Sequence, residues 1–270
     1  MRNDALLSAL LAAIALTASP IARAQVVTMK YVVTVLGNLS GQPGGLVNGH
    51  AINAAGQVVG SSTNAQGKTH ALRTAPNRPI RNTDDLGTIG GDYSAAWAIN
   101  NLGQVAGDAD HAALGTDSPV RRGFRLYTHG TMVDPGRLVP AGGTLFASNS
   151  SGARGINDAG QVVGLARVPA DACGSASHAF RTEPNATIIS SPFPPFADGL
   201  GTLVSPPYSN CRSSISFAIN SAGVAVSESA TEVTTGWPNQ AFRTAPPVYR
   251  IDLNEFGWGN STAYAVNDLG

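Results

Sequence analysis

The sequence predicts an all-β repeat protein, built from four-stranded antiparallel units set out as a β-propeller with four full blades and a partial fifth. Three observations lead there. A phrase closing on Asn-x-x-Gly returns five times, two other phrases return around it in fixed order, and no helical i, i+3, i+4 pattern of useful length follows the N-terminus.

The first phrase is clearest at Ala51-Ile52-Asn53-Ala54-Ala55-Gly56-Gln57-Val58-Val59-Gly60. It returns around Asn100 and Gly103, around Asn157 and Gly160, more loosely around Asn220 and Gly223, and stops in mid-phrase at Asn267–Gly270. The asparagines are 47, 57, 63 and 47 residues apart. Asn and Gly at these offsets suit a hairpin turn, where Asn caps with its side chain and Gly takes positive φ. Short Val- and Ile-containing runs on both sides read as its strands.

A second phrase supplies the third strand: His70-Ala71-Leu72-Arg73, Arg122-Gly123-Phe124-Arg125, His178-Ala179-Phe180-Arg181 and Gln240-Ala241-Phe242-Arg243. A third phrase, Asp85-Leu86-Gly87-Thr88-Ile89, supplies the fourth, with looser versions at Asp134, Asp198 and Asp252. Four strands in such a period match a propeller blade; a β-solenoid is the alternative, although its rungs are nearer 20–30 residues. Tyr31–Gly37 reads as a fourth strand arriving before any blade, placed to complete the last one. Because the final copy breaks off inside its turn, the chain is expected to be part of a longer reading frame.

Residues 1–24 read as a secretory signal peptide. An apolar run from Ala5 to Ala18 precedes the small-x-small site Ala22-Arg23-Ala24, leaving 25–270 as the repeat domain. That run is too short to cross a bilayer, and no later segment is long and apolar enough to do so. The expected location is therefore outside the cytoplasm: extracellular, cell-surface or periplasmic. There the only two cysteines, Cys173 and Cys211, could form a disulfide; two independent thiols are the alternative. Charged residues are 13% of the chain, against about 25% in an average soluble domain. Lys+Arg and Asp+Glu balance at 17 each, so no basic stripe exists to neutralise a nucleic acid.

His178-Ala179-Phe180, Gly155–Gly164 and Asp85–Gly91 together resemble the HAF-family extracellular repeat, named for its His-Ala-Phe motif and found in exported bacterial proteins. The likeness covers residues 31–270, with Leu72 in place of Phe and with Arg122 and Gln240 in place of His. It implies export and a repeat architecture, and brings no catalytic residues with it.

The candidate residues carry mostly structural roles. Asn53, Gly56, Asn100, Gly103, Asn157, Gly160, Asn220 and Gly223 are turn residues. The residue after each Asn is Ala54, Asn101, Asp158, Ser221 or Asp268, too few carboxylates for calcium. His70 and His178 alternate with Arg122 and Gln240, a pattern that fits hydrogen bonding rather than ligation or proton transfer. Arg73, Arg125, Arg181 and Arg243 recur in every complete copy, and a pairing of each with Asp85, Asp134, Asp198 and Asp252 across the outer hairpin is expected to fix register. Asp108, Asp110 and His111, with Asp117 nearby, form the densest acidic cluster and read as a solvated loop. Neither a catalytic motif nor a cofactor or metal signature is present. The expected function is a non-enzymatic exported module binding a glycan or cell-surface protein; the rival is a propeller hydrolase or lyase acting on extracellular carbohydrate.

Overall fold

The computed structural model describes residues 33–111, 120–128, 130–136, 138, 150–170, 174–188, 198–203, 212–231, 239–245, 249–253 and 259–270. Residues 1–24, read above as a signal peptide, and Cys173, Cys211 and Asp117 lie outside them. The described chain is all-β, with one short 3₁₀ turn at Asn82–Asp84, and no helix in it is long and apolar enough to cross a membrane. Thr34–Gly270 forms one compact unit.

Four antiparallel sheets stand around a common axis like propeller blades. The first holds β1 (Val47–Ile52), β2 (Val58–Thr63) and β3 (Thr69–Arg73). Its fourth strand shrinks to one bridge between Leu72 and Asp85, extended by the Leu86 N–H donating to the Ala71 carbonyl. The second holds β4 (Gly90–Ile99), β5 (Val105–His111), β6 (Val120–Leu126) and β7 (Met132–Val133). The third holds β8 (Ser151–Ile156), β9 (Val162–Ala170), β10 (Gly174–Arg181) and β11 (Gly199–Gly201), and the fourth β12 (Ser214–Ile219), β13 (Ala225–Ala230), β14 (Asn239–Ala245) and β15 (Tyr249–Asp252).

Each Asn-x-x-Gly phrase is the turn between the first two strands. In the third blade the Asn157 N–H donates to the Gln161 carbonyl, the Gly160 N–H to the Asn157 carbonyl, and the Gln161 N–H to Asn157 Oδ1. Gly56, Gly103, Gly160 and Gly223 have φ of +77°, +79°, +76° and +80°, which a Cβ would strain. The recurrent glycine was legible from the sequence for that reason.

The core lies between blades. Phe124 packs with Val59 and Ala71 of the first blade and Ala96 and Val105 of its own. Phe180 sits in a cluster with Ala106, Ala153, Val162 and Val168, spanning blades two and three, and Phe242 joins Val163 and Ala179 across blades three and four. The middle residue of the His-Ala-Phe phrase is small because the next blade passes over it. A Cβ on Gly123 would already stand 3.0 Å from the Ala153 nitrogen.

Three expectations change. Asp108, Asp110 and His111, expected in a solvated loop, stand in β5, where Asp108 is buried. The described part of the stretch read as an incoming strand, Thr34–Gly37, pairs with no sheet; the Leu36 carbonyl accepts the Ile80 N–H, and Leu36 packs on Leu39, Leu72 and Ile80 of the first blade. Three of the four Arg–Asp pairs are also displaced. Asp252 stands opposite Phe242 while Arg243 stands opposite Ile251, so their side chains leave opposite faces of the sheet. Asp85 likewise faces Leu72 rather than Arg73, and Arg125 faces Val133 rather than Asp134. One residue of register separates the expected pairing from the observed one at these three, whereas Arg181 stands opposite Asp198, whose carbonyl accepts its N–H.

Candidate functional site

What the repeated polar side chains do is join each blade to the next. The Asn53 amide donates to the Asn100 carbonyl (3.1 Å), Asn100 to that of Asn157 (2.9 Å), Asn157 to that of Asn220 (3.0 Å) and Asn220 to that of Asn267 (2.9 Å). This ladder circles the axis. The recurring arginines continue the logic: Arg73 donates to the Gly103 carbonyl and Arg181 to that of Gly223, each the turn glycine of the following blade. Arg125 reaches Gly160 at 3.4 Å and is held more tightly by the Asn185 and Ala186 carbonyls. Arg243 Nη1 lies beside Gly270, 3.4 Å from where a Cβ would stand.

A serine six residues before each later Asn completes the joint. Ser94, Ser151, Ser214 and Ser261 accept the backbone N–H of Ala71, Gly123, Ala179 and Ala241 in the blade before. Side chains after the Asn act similarly: the Ala54 N–H donates to Asn101, the Asn101 N–H to Asp158, and the Ser221 N–H to Asp268. Those carboxylates are therefore turn acceptors. The acids of the third phrase also serve locally: Asp85 accepts from the Gly87 N–H and meets His70 at 2.8 Å, Asp134 accepts from the Gly136 N–H, and the Asp198 carbonyl accepts from the Arg181 N–H.

One position is different. Three residues before each Asn the inner strand carries a β-bulge, at His50, Trp97, Arg154 and Phe217, where the ladder skips a residue. Bulges re-aim a side chain and often border functional sites. All four side chains are planar, and the fifth copy adds Tyr264 at the same offset. They gather in two groups along the inner strands. His50 stacks on Trp97 with centroids 4.3 Å apart and planes at 20°, Arg154 lies over the Trp97 ring at 5.0 Å, and Phe217 meets Tyr264 at 5.0 Å. His50 Nδ1 bonds the Ala96 carbonyl, which leaves Nε2 as the ring's other polar atom.

Asp108 anchors this arc from beneath. Only 3% exposed, it takes hydrogen bonds from Trp97 Nε1 (2.9 Å), Arg154 Nη1 (2.5 Å) and the Ala153 N–H (3.1 Å). Burial pushes its carboxyl above the usual carboxylate range, while Arg154 and the two N–H donors pull it back. A folded value above the unfolded one of about 3.9 means that the stabilisation is fully present below that pH and is lost as pH rises through the folded value. In thermal melts from about pH 3 to about pH 6, Asp108→Asn should therefore gain on the wild type as pH rises. A gap moving the other way would show that Arg154 outweighs burial. Of the other expected acidic residues, Asp110 pairs with Arg121 at 3.4 Å.

Beside the arc, a cavity of about 380 Å³ opens on the axis. Ile52, Ile99, Ile156, Ile219 and Val266 form its apolar lining, with the Asn ladder and the residues after it. Comparison with protein-family models and with curated proteins returns no match.

Proposed function

We propose that this chain is an exported, non-enzymatic binding module of the HAF type, which holds a neutral glycan along the arc of bulge residues. The observation that carries the reading is that each bulge presents a planar side chain of different identity, whereas the residues that recur unchanged are committed to the joints between blades. A scaffold of constant joints with one variable, planar position per copy suits recognition.

Charge selects the ligand class. Arg154 already lies over Trp97, so a second cation there would be repelled, and Asp108 neutralises Arg154, so an anion gains little. Flat rings with few polar edges favour a neutral ligand with apolar faces and hydroxyl groups, and a saccharide has both. Repetition of a planar group along successive blades suits a ligand that itself repeats. The rival, a carbohydrate hydrolase or lyase, would call on Asp108 and Asp110, and each is held by an arginine rather than set as one of two free carboxylates facing a scissile bond.

Titration with a panel of neutral oligosaccharides tests this. Saturable binding without change to the sugar is expected, weakened by His50→Ala, an exposed position whose loss leaves the Asn, Arg and Ser contacts between blades intact. No binding across the panel, or equal binding by the variant, would reject the site; release of shortened sugars would favour the rival.

A further inference from the structure

Away from the axis, the third phrase of each blade borders the outer strand of the next, and one of these joints differs from the others. Between blades three and four, Arg250 of β15 crosses the segment Leu200-Gly201-Thr202. Its Nη1 donates to the Thr202 carbonyl and lies 3.4 Å from that of Leu200, and a Cβ on Gly201 would strike the guanidinium. Between blades two and three, the Pro135 carbonyl, one residue past Asp134 as Leu86 is past Asp85, accepts the Ile188 N–H. In blade one the segment is Leu86-Gly87-Thr88. Gly87 and Gly201 have φ of +72° and +66°, and their carbonyls accept the hydroxyls of Ser94 and Ser214, so the two segments are equivalent in structure as well as in sequence.

No arginine crosses the segment in blade one. Met132 stands opposite Leu126 as Arg250 stands opposite Thr244, so a thioether takes the strand position of the guanidinium. A Cβ on Gly87 would meet no atom of the described residues within 4 Å, and a cavity of about 450 Å³ opens alongside. Leu86, Ile89 and Met132 are its apolar walls, and Thr88, His111 and Asp134 its polar part. Asp134 Oδ1 accepts the Gly136 N–H, and the carboxylate forms no ion pair among the described residues.

We infer that this cavity binds a guanidinium group on an alkyl stem, a ligand that takes the place Arg250 fills at the later joint. It shares no residue with the arc or with the axial cavity. Two carbonyls set two residues apart and a carboxylate are separate acceptors, which a planar fork of N–H donors serves together and a compact ammonium does not. The apolar walls cover the stem, as such surfaces cover the stem of an arginine. Asp134, offset by no cation, favours a positive group over a neutral one of the same shape.

Methyl resonances of Ile89 and Met132 in the full chain, followed at about pH 8, above the usual range of imidazole, test the inference. N-Butylguanidinium should shift them saturably with a Kd on the order of 1 mM, and neutral N-butylurea should bind at least about 10-fold more weakly. That comparison needs no substitution. Asp134→Asn keeps an acceptor for the Gly136 N–H and should weaken butylguanidinium about 10-fold while leaving butylurea unchanged. Met132→Arg supplies a guanidinium from the chain itself and should abolish the shift at Ile89. A blocked arginine peptide that binds more tightly than butylguanidinium marks a partner's side chain as the source, and the reverse order a free metabolite. No saturable shift at either methyl, equal binding of butylurea, or full affinity in Asp134→Asn would overturn the inference.

Discussion

Arg125→Ala is expected to remove about 3–5 kcal/mol of stability, enough to threaten folding of the whole unit. Arg125 is 1% exposed and spans the joint between blades two and three. Its guanidinium donates to the Asn185 carbonyl at 2.8 Å, the Ala186 carbonyl at 3.0 Å and the Tyr127 hydroxyl at 2.7 Å, and lies 4.9 Å from the Tyr127 ring. Truncation leaves those carbonyls without their donor and opens a cavity beside Tyr127. Arg125→Lys should recover less than half of the loss, because an ammonium cannot serve the separate acceptors that the planar fork reaches. Urea denaturation measures both, and an alanine variant within about 1 kcal/mol of wild type would contradict the assignment.

Phe180→Ala should cost a comparable amount, about 3–5 kcal/mol. The ring is fully buried between Ala106 of blade two on one side of the joint and Ala153, Val162 and Val168 of blade three on the other. The small residues around it cannot swing in to fill the space, so most of the cavity remains. Phe180→Leu should cost about 1–2 kcal/mol, since Leu72 fills the corresponding place in the first copy. Thermal unfolding of the pair would show whether the His-Ala-Phe phrase is conserved across copies for its packing. A loss in alanine no larger than that in leucine would argue against it.

Much of this fold was legible in the chain. Asn and Gly at fixed offsets announced the turns because only a few residue types satisfy a turn's backbone, and the order of three phrases announced four strands. What those residues touch was not legible, since the partner of a repeated side chain is one period away and every copy repeats together. Arg125 and Asp134 are near in sequence and opposite in charge, which made them a natural pair. The strand register turns them to opposite faces, and the arginine finds carbonyls in the following blade instead. Ser94, Ser151, Ser214 and Ser261 could have been found by aligning the copies on their asparagines, where a serine recurs at one offset and is missing only in the first. The bulge residues are harder. His50, Trp97, Arg154, Phe217 and Tyr264 share an offset without sharing an identity, and their common planarity gains meaning only when a skipped ladder position brings them into one arc.

The first copy shows how the repeat can be read by its exceptions. Val47 and Ala54 break the pattern at two acceptor positions on one face, and that same face is exposed and uncharged.

The central claim is that the recurring Asn amides, Arg guanidinium groups and Ser hydroxyls reach the neighbouring blade. Residue-resolved amide exchange in Ser214→Ala tests it most directly, because Ser214 Oγ accepts the Ala179 N–H at 2.8 Å across the joint between blades three and four. Faster exchange at Ala179, with the amides of β13 unchanged, is the expected result. Full protection at Ala179, or loss confined to the fourth blade, would contradict the account.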